Sequence, residues 1–288
     1  MKPATIILVL DCPDQKGLVA RITSFFYERG FNILHCQQYT DTREDHFFMR
    51  MKLDMNDLAT SRETLERQFG DFAVPLRIRW HIYYSDVFQK MAILVTKASH
   101  CLFDLLIRCK ESEIQCEIPL IISNHPDLRY IAEDFQIPYQ WLPVTKDTRM
   151  QQESQMRRLL GQHGINLVVL ARYMQVLSKG FVEDYSGRII NIHHAFLPAF
   201  QGGSPYSQAY ERGVKMIGAT AHYATIDLDE GPIIEQDVER VSHEDSIEEM
   251  VRIGKDIERV VLSRAVKAHL EHRTILSGRR VVVFSTGI

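Results

Sequence analysis

A chain of 288 residues is long enough for two domains with cores of their own. Its formal net charge of −3 argues against a partner held through nucleic-acid phosphates. No apolar run approaches the roughly 18–20 residues that a membrane span needs, and the first fifteen residues carry no signal-peptide cleavage pattern, so a cytoplasmic protein is expected. Five cysteines, at positions 12, 36, 101, 109 and 116, form neither a Cys-x-x-Cys pair nor zinc-finger spacing with histidine. Free, mostly buried thiols and no metal site are therefore expected.

In the first third, Ala4–Leu10 reads as a strand and Asp11–Gly17 as a loop. A helix follows to Arg29, with Leu18, Ile22, Phe25 and Phe26 on one face and Gly30 as its stop. Ile33–Thr40 and the alternating Phe47, Met49, Met51 and Leu53 predict two strands. Ser61–Phe69 predicts a helix, and Leu76, Ile78, Trp80 and Ile82 a last strand. The order βαββαβ is the ferredoxin-like arrangement. The connector Tyr83–Lys90 is neither long nor rich in Gly and Ser, so the two parts are not freely tethered.

From there strands and helices alternate: strand Met91–Thr96, helix Cys101–Lys110, strand Ile118–Ser123, helix Leu128–Phe135, strand Ile137–Leu142, helix Asp147–His163, strand Leu167–Leu170. This pattern predicts a mostly parallel, Rossmann-like α/β sheet with right-handed crossovers. The turn after its first strand, Thr96-Lys97-Ala98-Ser99-His100, has no glycine to let backbone amides approach a phosphate, and Ser99 is expected to cap the next helix.

Arg188–His193 reads as a buried strand that stops before Pro198. Side chains two residues apart share a face, so Asn191 and His193 are presented together at the C-terminal edge of the sheet, where ligands bind in open α/β folds. An amide N–H can hold an oxyanion and an imidazole can move a proton. After a Gly202-Gly203 turn, Ser204 and Pro205 predict the start of a helix that Gly213 ends. Ile217–Thr225 is the next strand. The following loop carries Asp227, Asp229 and Glu230 before Gly231-Pro232, and Asp229 is placed to orient His193 or a water. His194 points the other way and His222 reads as a core histidine. Val238–Val241 ends a strand, Ser242 is expected to cap a helix reaching His269, and a hairpin around Ser277-Gly278 closes the chain.

Two long motifs, NIHxxFLPAFxGxxPY from Asn191 and GATxHYxTxxLDEGPII from Gly218, resemble the folate-dependent formyltransferase family. Most similar is its hydrolytic branch, the formyltetrahydrofolate deformylases, and DCPDQKGLVARIT resembles the first loop and helix of an ACT domain. The resemblance implies an ACT-like regulatory domain at 1–84 and a formyltransferase-like catalytic domain at 85–288. It implies that Asn191, His193 and Asp229 are catalytic. It further implies that Ala171–Leu177, with Arg172, Tyr173, Met174, Gln175, Val176 and Leu177, lines the pterin pocket of the folate. An amino-acid effector would bind at Asp14, Gln15, Lys16 and Gly17, and the chain would assemble as a homodimer or homotetramer. The implied reaction is hydrolysis of 10-formyltetrahydrofolate, with no cofactor, balancing one-carbon folate pools and supplying formate for purine synthesis. A formyl transfer to an amine, or a folate- or amino-acid-sensing protein with a degenerate site, are the competing readings; the glycine-free turn favours water as the acceptor. Two residues depart from the family pattern: Ala195 stands where a serine is expected and Gly203 where an alanine is expected.

Overall fold

The first strand, β1 (Thr5–Pro13), is apolar at nearly every position because both faces of its sheet are covered. In a computed structural model, residues 5–55, 61–198 and 205–286 are described, and they divide into two compact units. The first comprises Met1–Phe88 with Glu271–Ser277 and Val282–Ile288. Its strands β1, β2 (Asn32–Asp41), β3 (His46–Asp54) and β4 (Arg79–Tyr84) form an antiparallel sheet in the order β2-β3-β1-β4. Ile6, Leu8 and Leu10 pack with Leu18, Ile22 and Phe26 of helix α1 (Leu18–Tyr27) and with Leu65 and Phe69 of α2 (Arg62–Ala73). This is the βαββαβ fold expected from periodicity.

Among the boundaries that differ from expectation, two belong to strands of this sheet. β1 runs on through Asp11-Cys12-Pro13, which stay in register with Phe48, Phe47 and His46. The last strand starts late: Val74–Leu76 form a 3-10 turn and Arg77, at φ 54°, reverses the chain. Leu76 and Ile78 are buried all the same, so a turn reproduced the alternation that a strand would give.

The closing hairpin, β12 (Thr274–Ser277) and β13 (Arg280–Val283), also differs in affiliation. The resemblance implies a second domain over 85–288, whereas Glu271–Ser277 and Val282–Ile288 group with the first unit. The reason is the uncovered face of the ACT-like sheet. Val9 and Phe48 point away from α1 and α2, and they are buried by Ile275 and Phe284. Arg50, also buried, donates to the carbonyls of Glu271 and His272.

The second unit, Gln89–Leu270 with Gly278–Val281, holds a seven-stranded sheet. Its strands are β5 (Lys90–Val95), β6 (Glu117–Ser123), β7 (Tyr139–Trp141), β8 (Leu167–Leu170), β9 (Ile189–His193), β10 (Met216–Tyr223) and β11 (Ile233–Arg240), in the order β11-β10-β9-β8-β5-β6-β7. From β7 to β9 the pairing is parallel, and β10 is antiparallel to both β9 and β11. Helices α3 (His100–Lys110), α4 (Arg129–Asp134), α5 (Arg149–Gln162), α6 (Lys179–Asp184), α7 (Pro205–Arg212) and α8 (Ile247–Leu270) complete it. One face of β5, with Met91, Ile93 and Val95, packs with Leu102, Leu105, Val261 and Leu262. The other, with Ala92 and Leu94, packs with Met156, Leu160 and Phe181. A doubly covered parallel sheet follows, and the C-terminal ends of β5, β8 and β9 lie side by side.

Capping corrected two expectations. Ser99 precedes α3 but makes no side-chain cap hydrogen bond. Ser242 does not cap α8 either; its Oγ accepts from Glu244 N at 3.1 Å in a turn. The cap lies four residues on. Ser246 Oγ accepts from Glu249 N at 3.2 Å while Glu249 Oε2 accepts from Ser246 N at 2.8 Å. Both serines have an acid three residues later, and only the phase of Met250, Ile257 and Val261 against the sheet selects the second. Ser246→Ala is expected to cost about 1 kcal/mol, read as a melting temperature roughly 2–4 °C lower. The Gly202-Gly203 turn and Ser204 cap lie outside the described residues.

Candidate active site

β9 ends at His193, and its antiparallel neighbour sets His222 opposite Asn191 and Thr220 opposite His193. Beyond β10 the chain turns back through Asp229, which adopts a left-handed φ of 57°. The turn carries the carboxylate onto the strand ends: Asp229 Oδ1 lies 3.2 Å from His193 Nδ1 and 3.7 Å from His222 Nε2. Asn191 Nδ2 lies 3.2 Å from His222 Nε2. The three residues that the motifs singled out are thus brought together, and His222 joins them. His222, expected as a core histidine, is 2% exposed, and it is part of the cluster too. Its signal was the position one strand over from Asn191, which only the register reveals.

Hydrogen-bond chemistry assigns the tautomers. His222 Nδ1 is 3.0 Å from the Tyr223 carbonyl, which can only accept, so Nδ1 carries the proton. Nε2 is then an acceptor for one Asn191 amide hydrogen, leaving the second free. His193 Nδ1 donates to Asp229, so its Nε2 keeps a lone pair; that nitrogen is buried and has no hydrogen-bond partner among the described residues. The His193 hydrogen bond outweighs burial and holds the Asp229 carboxyl well below the usual carboxylate range. A fixed carboxylate, a basic imidazole nitrogen and an amide donor are the parts needed to activate water and to hold an oxyanion.

The loop after β8 sorts its residues by exposure. Tyr173 is 5% exposed and Leu177 packs beside it in the core under β5, while Met174 and Val176 are exposed and Gln175 is half-buried. Arg172, with φ 64°, turns inward to Glu258 of α8, its Nε 3.5 Å from Oε2. The loop is pinned by Met174 N on Thr96 Oγ1 at 3.0 Å, by Arg149 on the Val176 carbonyl, and by Ser178 N on the buried Glu153 at 2.7 Å. Ser178 also caps α6, an element that periodicity alone did not predict. In the first unit, Asp14, Gln15, Lys16 and Gly17 are all exposed in the β1–α1 loop, with Gly17 at φ 84°.

His194 sits on the far side of His193, their rings 5.3 Å apart. Burial, then the Arg172 charge, pushes its pKa down to about 4, and burial does the same to His269, which takes a hydrogen bond from Tyr223 at 2.7 Å. Both are neutral in the folded chain at neutral pH. Unfolded histidines titrate near pH 6.5. Between pH 6.5 and about 4 the unfolded chain therefore binds protons that the folded chain refuses. Stability is full above pH 6.5 and is lost as pH falls. Melting temperature is expected to drop by at least about 5 °C between pH 7 and pH 4.5, and a His269→Phe variant should show a shallower fall.

One His/Cys/acid grouping among the described residues, His100, Cys101 and Glu258, has ligand atoms within 4.8 Å of one another. Glu258 is already engaged on both oxygens, by His100 at 2.8 Å and Tyr206 at 2.9 Å, and burial pushes the Cys101 thiol up. His100 and Glu258 are bonded to each other, and Cys101 lies beside them. No helix among the described residues is long and apolar enough to cross a membrane.

Residues 89–266 match the Formyl transferase family and residues 5–70 the ACT domain. The chain is 50% identical over 285 residues to the formyltetrahydrofolate deformylase of Synechocystis sp., covering 99% of this chain and all of that one. The chain belongs to the formyltetrahydrofolate deformylase family. It is also 44% identical to the Bacillus subtilis deformylase, over 96% of this chain and 93% of that one. A deformylase structure from Pseudomonas syringae superposes with a TM-score of 0.96 at 42% identity, over 99% of this chain and 96% of that one. The glycinamide ribonucleotide transformylase 1 of Symbiobacterium toebii matches 70% of this chain and 97% of its own, with a TM-score of 0.66 and 28% identity.

Proposed function

We propose that the chain hydrolyses 10-formyltetrahydrofolate to formate and tetrahydrofolate. The observation that carries this reading is the convergence of Asn191, His193 and Asp229, with the basic nitrogen of His193 unspent, in a member of the deformylase family. The oxygen of a water bonds to the formyl carbon as His193 Nε2 takes its proton, and Asp229 stabilises the imidazolium. The carbonyl electrons move onto the formyl oxygen, which Asn191 holds with its second amide hydrogen. On collapse the carbon–N10 bond breaks and N10 takes the proton back from His193. His222 orients the Asn191 amide. The one-carbon donor is itself the substrate, so no cofactor is required.

The outer part of the β8–α6 loop, with Met174 and Val176 exposed and Gln175 half-buried, faces the pterin. Arg172 and Tyr173 act from beneath it, and Leu177 packs into the core. Ala195, 4% exposed, gives the site no hydroxyl. The ACT-like unit takes a small effector, an amino acid, at Asp14–Gly17, in a cytoplasmic homodimer or homotetramer whose formate feeds purine synthesis. The test is to mix purified protein with 10-formyltetrahydrofolate and measure formate. Release with water alone is expected; release only after an amine is added would make the chain a transferase, and no turnover under either condition would make it a folate-sensing protein.

A further inference from the structure

Glu258 is a carboxylate at 1% exposure on α8, and nothing in the hydrolytic scheme uses it. It gathers three segments that reach the edge of the sheet from different parts of the chain. His100, the first residue of α3, lies 2.8 Å from Oε2; Arg172, which opens the folate-facing loop, lies 3.5 Å from the same oxygen; Tyr206 of α7 donates to Oε1 at 2.9 Å. Burial alone would raise this carboxyl, but the His100 hydrogen bond and the Arg172 charge outweigh it, and it stays ionised.

The cluster borders the reaction centre through His194. The His194 ring lies 6.2 Å from Tyr206 on one side and 5.3 Å from His193 on the other. The backbone makes room for this arrangement. A Cβ on Gly254, one turn before Glu258, would stand 2.0 Å from the Tyr206 oxygen, so a glycine there is what allows Tyr206 to reach the carboxylate. Arg172 Nε and Nη1 have no hydrogen-bond partner among the described residues, and Glu258 is the carboxylate in ion-pair range.

We infer that Glu258 is a positioning residue for the formyl-hydrolysing centre: through Tyr206 and Arg172 it frames His194 and so fixes His193 beside it. This rests on the hydrolase reading. It separates two duties at the sheet edge. The outer part of the folate-facing loop is held independently, by Thr96 and Glu153, so it should keep its place when Glu258 is changed. Glu258→Gln turns an amide toward a guanidinium, leaves Arg172 a largely buried cation without counter-charge, and loosens the frame around His194.

The experiment is steady-state formate release from 10-formyltetrahydrofolate by the full chain and three variants, with melting temperature as a folding control. Glu258→Gln is expected to lower kcat by about thirtyfold or more while KM stays within about threefold, since only alignment of the reacting groups is lost. Tyr206→Phe, which removes one oxygen, should show the same split at about five- to tenfold and decides the matter if Glu258→Gln does not fold. Thr96→Val should show the opposite split, with KM raised more than kcat is lowered. Wild-type turnover with an unchanged kcat in folded Glu258→Gln or Tyr206→Phe would overturn the inference alone, as would a loss carried equally by kcat and KM. A wild type that releases no formate would overturn the hydrolase reading with it.

Discussion

Replacing Asp229 by asparagine is expected to lower formate release by about a thousandfold or more, with folate binding largely retained. The carboxylate accepts from His193 Nδ1 at 3.2 Å and is 14% exposed at its side chain. Its negative charge fixes the tautomer that leaves Nε2 basic, and it stabilises the imidazolium that forms when water is deprotonated. An asparagine is the same size but uncharged, and its N–H2 facing Nδ1 would favour the other tautomer, with the proton on Nε2. In a His–Asp pair of this type the exchange costs about 10⁴ in rate, and an oxyanion donor alone is worth about 10²–10³. Because the folded-state pKa is depressed, the carboxylate stays ionised from neutrality down through the ordinary carboxylate range; the stability it contributes is full above that range and is lost progressively as pH falls from there through the folded-state value. Asp229 therefore stays ionised from pH 5 to pH 8, and its own protonation adds no pH dependence to the wild-type rate there. Near-normal formate release by Asp229→Asn would mean that His193 does not depend on this carboxylate.

The second large effect is expected from Gly231→Ala, a change of one methyl group two residues past Asp229. A Cβ there would stand 1.7 Å from the Tyr223 carbonyl oxygen and 2.9 Å from His222 Nδ1. Backbone at that separation cannot yield by a side-chain rotation, so the 227–231 loop must lift from the end of β10. Tyr223 N, which donates to the Pro232 carbonyl at 2.9 Å, would lose its partner, and the Tyr223 carbonyl that holds the His222 tautomer would move. Asp229 would leave His193. Destabilisation of about 2–4 kcal/mol is expected, seen as a fall of roughly 5–10 °C in melting temperature, together with a loss of at least about a hundredfold in formate release at a temperature where the variant is folded. A folded variant with wild-type turnover would show that the loop does not need this close approach.

Much of the fold was legible because it is written in local periodicity. Ile6, Leu8 and Leu10 alternate, Leu18, Ile22 and Phe25 repeat at helical spacing, and the apolar runs at 91–95 and 167–170 match a parallel sheet covered on both faces. Pairing Asn191 with His193 required only the two-residue repeat of a strand. The boundaries that slipped are those where two local solutions compete: Leu76, buried from a turn as well as from a strand, and Ser242 against Ser246, each with an acid three residues on.

The sequence by itself determined most of the elements, their order and the chemistry that Asn191, His193 and Asp229 offer, since those depend on residue type and near neighbours. Tertiary structure alone decided what stands next to what. Strand register set His222 against Asn191. An uncovered sheet face drew Ile275 and Phe284 to Val9 and Phe48. A glycine on α8 let Tyr206 reach Glu258, beside which Arg172 and His100 settle. Buried polar groups must find partners wherever the fold brings them, and a linear pattern carries no record of partners 30 to 160 residues away.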